Sequence, residues 1–354
     1  MPYIIYHILP TIKRTTEFSP FVLSIKDFIA IEQSLEVQRL NRKIIYWVRT
    51  VMSQEREHLT AESKETVKAY AAWGAVCLFW GTTYLAIRIG VRTLPPALFA
   101  GIRFFVAGSV FLAYLKMRGV SLPGRRDLLH IAIVGILLLV IANGCVVWAE
   151  QWVPSGLAAL IVATLPLWVS GIEAIWPSGN RLNVFKILGI AIGFFGLVIL
   201  FAPELKTSFD QAYLKGVLAL LFAPLSWAMG SVYAKYHPVR TAPLMAAALQ
   251  MVIAGIILML MGIILQEAPR FDFNLEGLAA LVYLAIFGSI IGYGSFIYAL
   301  AKLPAAKVSM YAYVNPIIAV LLGWLILGEQ LDWRVAIATA VILSGVVLVQ
   351  SARA

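Results

Sequence analysis

From Ala69 almost to the C-terminus, apolar stretches about twenty residues long follow one another with only short polar connectors between them. No other feature constrains the fold as strongly. A helix rising about 1.5 Å per residue needs roughly 20 apolar residues to cross a hydrocarbon core about 30 Å thick. Of 354 residues, 61% are hydrophobic and 13% charged, whereas a soluble globular chain is about half apolar and about a quarter charged. So many apolar stretches cannot share one aqueous core. The chain reads as an all-α integral membrane protein with ten transmembrane helices.

The expected spans are 69–88, 96–115, 128–149, 153–174, 183–202, 212–234, 242–266, 277–301, 304–327 and 332–350. Pro95-Pro96, Pro123-Gly124, Pro177-Ser178-Gly179 and Gly328 punctuate the connectors, as helix breakers do. The longest connectors, 116–127, 203–211 and 267–276, leave no room for a soluble catalytic domain. Residues 1–67 differ in kind, being mixed in charge and only sparsely apolar. They are expected to form a cytosolic extension. Met52 directly precedes the polar run Ser53 to Lys68, and residues 1–51 are read as a mis-called start or a small accessory segment. MPYIIYHILP lacks the basic n-region of a signal peptide.

The net charge of +10 is not the mark of a nucleic-acid binder, because no basic domain with interleaved aromatics carries it. With the N-terminus inside, the inner loops and span ends hold thirteen Lys or Arg residues and the outer ones six. That bias places both termini in the cytoplasm. Cys77 and Cys145 each lie in an apolar stretch and read as packing residues, not as a metal pair or a disulfide framework. No P-loop is present to cradle ATP, and no HExxH to hold zinc. His7, His58, His130 and His237 lie outside the spans or at their ends. No metal or cofactor is expected, and no enzymatic activity. The partners expected are a small-molecule substrate and the lipid bilayer, with a proton gradient or simple downhill flux as driver and a monomer or homodimer as the assembly.

The two halves repeat weakly. WVPSGLAALIVATLPLWV from Trp152 lies over KLPAAKVSMYAYVNPIIA from Lys302, matching Pro154 to Pro304 and Pro166 to Pro316. The same offset sets Gly144 on Gly294 and Trp148 on Tyr298, and Trp80 aligns with Trp227 further upstream. With five spans each, the halves 68–202 and 212–351 enter the membrane in opposite senses, so the fold is two inverted five-helix repeats with substrate handled near the midplane.

Several segments carry a family likeness. They are WGTTYLAIRIGVRTLPPALFAGIRF from Trp80, IANGCVVWAEQWVPSGLAALIVATLPLW from Ile141, SWAMGSVYAK from Ser226, LAIFGSIIGYGSFIYAL from Leu284 and YAYVNPIIAVLLGWLILGEQL from Tyr311. The chain resembles the EamA family of the drug/metabolite transporter superfamily, and within it the YedA-like inner-membrane group, over about Ala69 to Gln350. The resemblance implies a secondary transporter of the inner membrane, with a central cavity between the halves and spans five and ten at the periphery. Family members export amino acids, purines, dyes and other metabolites, so the likeness leaves the substrate open. The sugar-phosphate branch of the superfamily is the alternative within the fold, and a membrane receptor or enzyme the alternative outside it. Only Arg103 lies well inside a span, which argues against a carrier of phosphorylated anions.

Candidate site residues follow from helical spacing. Trp73, Cys77, Trp80 and Tyr84 share one face of span one. On span nine, Tyr311 and Asn315 are four apart and precede Pro316, which deprives a carbonyl near Ala312 of its donor. Irregular backbone at that depth is tolerated only against protein or a watery cavity. Pro166 repeats the device beside Thr164. With Asn143, Trp227, Ser231 and Tyr293 these complete the expected substrate cavity: Trp80, Tyr84, Asn143, Thr164, Trp227, Ser231, Tyr293, Tyr311 and Asn315. Glu150, an acid at the outer end of span three, is the candidate for coupling transport to protons or for contacting a cationic substrate, the alternative being an interfacial residue that faces water. Glu173 is placed to snorkel from span four, Glu329, which the resemblance aligns with the family's turn glutamate, is read as structural, and Arg103 as a packing anchor, with substrate-anion binding as the other reading. Gly288/Gly292 and Gly189/Gly193 have the spacing that lets helices approach closely.

Overall fold

The computed structural model describes residues 64–177, 179, 182–201, 211–272, 274–330 and 333–351, together with Tyr46. Of the expected extension, residues 1–67, only Tyr46 and residues 64–67 are described, the latter being helical, and the connector 203–211 lies outside the described residues except for Gln211. Two compact units divide the chain, Met1–Glu65 and Thr66–Ala354. The helical bundle is the second.

Seven helices are long and apolar enough to cross a membrane: α1 (Lys64–Gly90), α2 (Pro96–Met117), α3 (Arg125–Ala149), α4 (Ser155–Ile175), α6 (Gln211–Tyr236), α7 (Pro243–Ile264) and α8 (Leu275–Lys302). Three shorter apolar helices bring the total among the described residues to ten: α5 (Val184–Phe201), α9 (Tyr311–Leu327) and α10 (Trp333–Ser351). Their ends are written in the sequence. Pro96 and Pro243 open α2 and α7 at the first helical position, where a missing N–H leaves no bond unmade. Asn274 caps α8 by accepting from Gly277 N at 2.7 Å. Gly328 ends α9 in the left-handed region at φ 68°.

Two expected spans are not continuous. α4 breaks at Ala163–Thr164, just before Pro166, and a four-residue helix, Ala305–Val308, is separated from α9 by Ser309–Met310. In α4 the break places Pro166 in the first turn of the following segment, where its lost N–H costs nothing. α3 and α8 each widen into a π-helical segment, Ile136–Asn143 and Leu284–Tyr293, and each returns to α-helix at the paired Gly144 and Gly294. The repeat in the sequence is thus a repeat of backbone irregularities.

The halves are inverted, and helices meet their counterparts: α2 packs on α7, α4 on α9 and α5 on α10, while Trp80 of α1 meets Trp227 of α6 edge-on at 5.3 Å. Close approach demands glycine at these contacts. A Cβ on Gly101 of α2 would stand 2.7 Å from Met259 N of α7, and one on Gly345 of α10 would stand 2.5 Å from Gly193 N of α5. We call the end of the bundle where α1 begins the lower face and the end where it finishes the upper face.

Candidate functional site

The π-helical segments and the broken helices surround a cavity between the halves, with about 620 Å³ of empty space including its mouth. α1 contributes Trp80, Thr83, Tyr84 and Ile87, α2 Arg103 and Phe104, α3 Leu139, Ala142, Asn143 and Val146, and α4 Val162. From the second half come Ala223 and Trp227 of α6, Gly288 and Tyr293 of α8, and Tyr311 and Asn315 of α9. The structure brings Trp80, Tyr84, Asn143, Trp227, Tyr293, Tyr311 and Asn315 together on this wall. Thr164 and Ser231 lie elsewhere. The Thr164 hydroxyl donates to Ile161 O at 2.7 Å across the break in α4, and Ser231 faces a second, lower hollow.

Trp80 is the hub. Its indole N–H donates to Gly288 O at 3.0 Å, a carbonyl within the π-helical segment of α8. A Cβ on Gly292 would stand 2.5 Å from Trp80 Nε1, so the Gly288/Gly292 face of α8 receives a side chain and not another backbone. Tyr311 meets the Trp80 ring edge-on at 5.1 Å, and Phe296 lies against it at the same distance. Phe296 was not among the expected residues, although it stands one turn beyond Tyr293. Across the pseudo-twofold, Ser226 Oγ of α6 donates to Leu137 O in the π-helical segment of α3 at 2.8 Å. Side chains of α1 and α6 thus satisfy carbonyls that the irregular helices release.

Polar groups on the wall fall into two kinds. Some are committed: Tyr293 donates to Gln250 Oε1 at 2.8 Å, and the Asn315 amide nitrogen, turned toward two carbonyls, donates to Tyr311 O at 3.2 Å and to Cys77 O at 3.0 Å. Asn315 thereby ties α9 to α1. Others have no hydrogen-bond partner in the protein although they are buried: Arg103 Nη1, Asn143 Oδ1 and Trp227 Nε1. Arg103 is the residue sequence reasoning set aside. Its Nε donates to Ser289 Oγ of α8 at 2.9 Å, the anchoring expected, but its Nη1 has no partner, and the residue lines the cavity.

Beyond the cavity, each face is closed by polar ties. At the lower face Glu173 of α4 pairs with Lys235 of α6 at 2.6 Å instead of reaching for water. Lys307 donates to Tyr70 Oη at 3.0 Å, and Trp73 Nε1 to Val308 O at 3.2 Å. The hollow above the Glu173–Lys235 pair shares Trp227 and Tyr311 with the central cavity, so these two rings separate the compartments. At the upper face Glu329 accepts from Ser155 N, Ser155 Oγ and Gly156 N at 2.9, 2.8 and 3.2 Å. Glu267 accepts from Ala97 N and Leu98 N at 3.3 and 2.9 Å. Glu150 is different. It is fully buried, neither carboxylate oxygen has a partner, and Arg88 donates only to its main-chain oxygen. It stands one turn above the cavity residue Val146 on the same face of α3.

Comparison with known proteins accords with this geometry. The model of the EamA-like transporter family matches residues 69–202 and 214–351, one match per half. The uncharacterized inner membrane transporter YedA of Escherichia coli (strain K12) is 39% identical over 287 residues, 81% of this chain and 92% of its own. The uncharacterized transporter YoaV of Bacillus subtilis (strain 168) is 26% identical over 273 residues, covering 77% and 93%. Protein PagO of Salmonella typhimurium is 28% identical over 280 residues, covering 78% and 91%. A protein of known crystal structure at 24% identity has the same fold, with a TM-score of 0.59 over 81% of this chain and 97% of that one.

Proposed function

This chain belongs to the EamA-like transporter family, and on that footing we propose that it is a secondary exporter of a small organic solute, rocking its two halves about the central cavity in the inner membrane. One observation carries the reading. Arg103, Asn143 and Trp227, drawn from both halves, line one cavity, and Arg103 Nη1, Asn143 Oδ1 and Trp227 Nε1 are buried without protein partners. Buried polar groups are costly unless hydrogen-bonded, and a solute bearing an acceptor and a donor satisfies all three. Aromatic walls with a few convergent polar groups are the usual form of a small-molecule site.

The lower face is the cytoplasmic one, from the excess of Lys and Arg on its loops. Export is the direction the family resemblance implies, and Glu150 is the group proposed to couple it to protons. An exchanger of phosphorylated anions is the poorer reading, because Arg103 is the single cation among the residues lining the cavity.

The test is flux in liposomes containing the purified protein, with a panel of amino acids, nucleobases, cationic dyes and aromatic monocarboxylates. At least one solute is expected to move faster than in empty vesicles, and Trp227→Ala with Asn143→Ala to slow it at least about tenfold, the loss of roughly two hydrogen bonds. A folded protein that moves no member of the panel, and gives an overexpressing strain no resistance to any of them, overturns the reading.

A further inference from the structure

Arg103 is a buried cation with no carboxylate beside it among the described residues. It is 3% exposed, and no Asp or Glu is among the residues that line its cavity. Ser289 holds Nε, the Phe104 ring lies 4.7 Å from the guanidinium carbon, and Nη1 has no partner. Space has been kept for the guanidinium: a Cβ on Gly288 would stand 2.7 Å from Nη2. A guanidinium taken out of water without a counter-ion is unfavourable, and its fork of N–H donors matches a carboxylate.

We infer that Arg103 is the docking point for the carboxylate of the transported solute, and that the cargo is a monoanionic organic acid with a flat or apolar body. The charge count sets the class. One guanidinium balances one negative charge, and no Lys, His or second Arg lines the cavity to balance a phosphate dianion. The walls set the body: Trp80, Trp227 and Tyr311 offer ring faces and edges and little hydrogen bonding. Trp227 Nε1 is a second unpartnered donor on the same wall. This inference rests on the proposed carrier function and specifies its cargo. The competing account makes Arg103 a clamp between α2 and α8 through Ser289 and nothing more.

Matched ligands separate the two. The full-length purified protein is titrated calorimetrically with 3-phenylpropionate, its neutral amide 3-phenylpropionamide, and phenyl phosphate. The carboxylate is expected to bind at least tenfold more tightly than the amide and than the phosphate. Arg103→Met is expected to erase that preference, Arg103→Lys to keep part of it, and Ser289→Ala to keep most of it because the fork remains. Gly288→Ala, which crowds Nη2 but leaves Arg103 in place, is expected to weaken the carboxylate severalfold and the amide little; it serves also where Arg103→Met fails to fold. Equal binding of acid and amide, a preference for the phosphate, no binding of the carboxylate, a preference that survives in Arg103→Met or, where that variant does not fold, a preference undiminished in Gly288→Ala overturns the inference. Liposome flux keeps the two readings apart. Carboxylate binding without flux of any solute sinks the carrier and leaves the anion site. Flux confined to neutral or cationic solutes sinks the anion site and leaves the carrier.

Discussion

Glu329 and Glu267 turn acids at the ends of second-half helices into caps for first-half helices. Each carboxylate accepts backbone N–H groups in the first turn of a helix, Ser155 and Gly156 in α4 for Glu329 and Ala97 and Leu98 in α2 for Glu267. Those N–H groups have no intrahelical acceptor, and the helix dipole adds to the attraction for a negative charge. The backbone is bent to suit: Gln266, immediately before Glu267, takes a left-handed φ of 54°, uncommon for a residue with a Cβ. That Glu329 is structural followed from the family likeness of the turn LGEQ, but not that it caps α4. The role of Glu267 was not legible, because its partners lie far away in sequence. Glu329→Ala is expected to lower stability by about 2–3 kcal/mol, the loss of charge-assisted bonds at a buried helix end. Glu329→Gln, which keeps an acceptor oxygen, is expected to cost less. Thermal unfolding in detergent measures both, and an alanine variant as stable as the parent contradicts the capping account.

Among the elements, what the sequence announces is whatever depends on local composition. Helix positions follow from apolar length and from Pro and Gly at the ends, and the ten helices lie close to the expected spans except at the start of α9, where the span expected from 304 is broken before Tyr311. The π-helical segments of α3 and α8 leave no such trace, since Ile136–Asn143 reads as an ordinary apolar run. They hold because side chains from elsewhere, Ser226 and Trp80, take up their carbonyls. The paired glycines Gly144 and Gly294 were visible, but their use in ending those segments was not. α5 and α10 line no part of the cavity, and they join through Gly189, Gly193 and Gly345. A large side chain there should hurt packing and spare the site. Gly345→Leu is expected to lower stability by about 1–3 kcal/mol by overpacking, with the affinity for any cavity ligand unchanged within about twofold. Equal loss of stability and affinity in the same titration shows instead that the α5–α10 pair shapes the cavity.

At the scale of the whole molecule, the two faces are closed by different kinds of tie, and this bears on how a gradient can act. Lower-face ties include an ion pair and two long-range side-chain bonds, Glu173–Lys235, Lys307–Tyr70 and Trp73–Val308. A partly exposed ion pair contributes little and breaks readily, which suits a face that opens. Upper-face ties are helix caps, whose loss strands backbone donors. Glu150 sits among them as the one buried acid there, among the described residues, that caps nothing, with Arg88 and Glu329 near enough for their charges to act on it. Its sequence position left two readings, an interfacial acid facing water and a group that carries a proton. That neither oxygen is bonded could not be read from the sequence, because it depends on helices far apart in the chain. A group that must gain and lose a proton in each cycle has to lack permanent partners in one state and be reachable from the cavity in another. Glu150→Gln keeps the shape and the hydrogen-bonding capacity and removes only the proton. In everted vesicles with an imposed proton gradient, this variant is expected to bring the accumulation ratio to unity while downhill exchange of the same solute continues. The two measurements on one preparation separate energy coupling from binding. If the variant still concentrates solute like the parent, Glu150 carries no proton and the driving force enters elsewhere. If it loses exchange as well, Glu150 supports the architecture of the upper face and not the coupling.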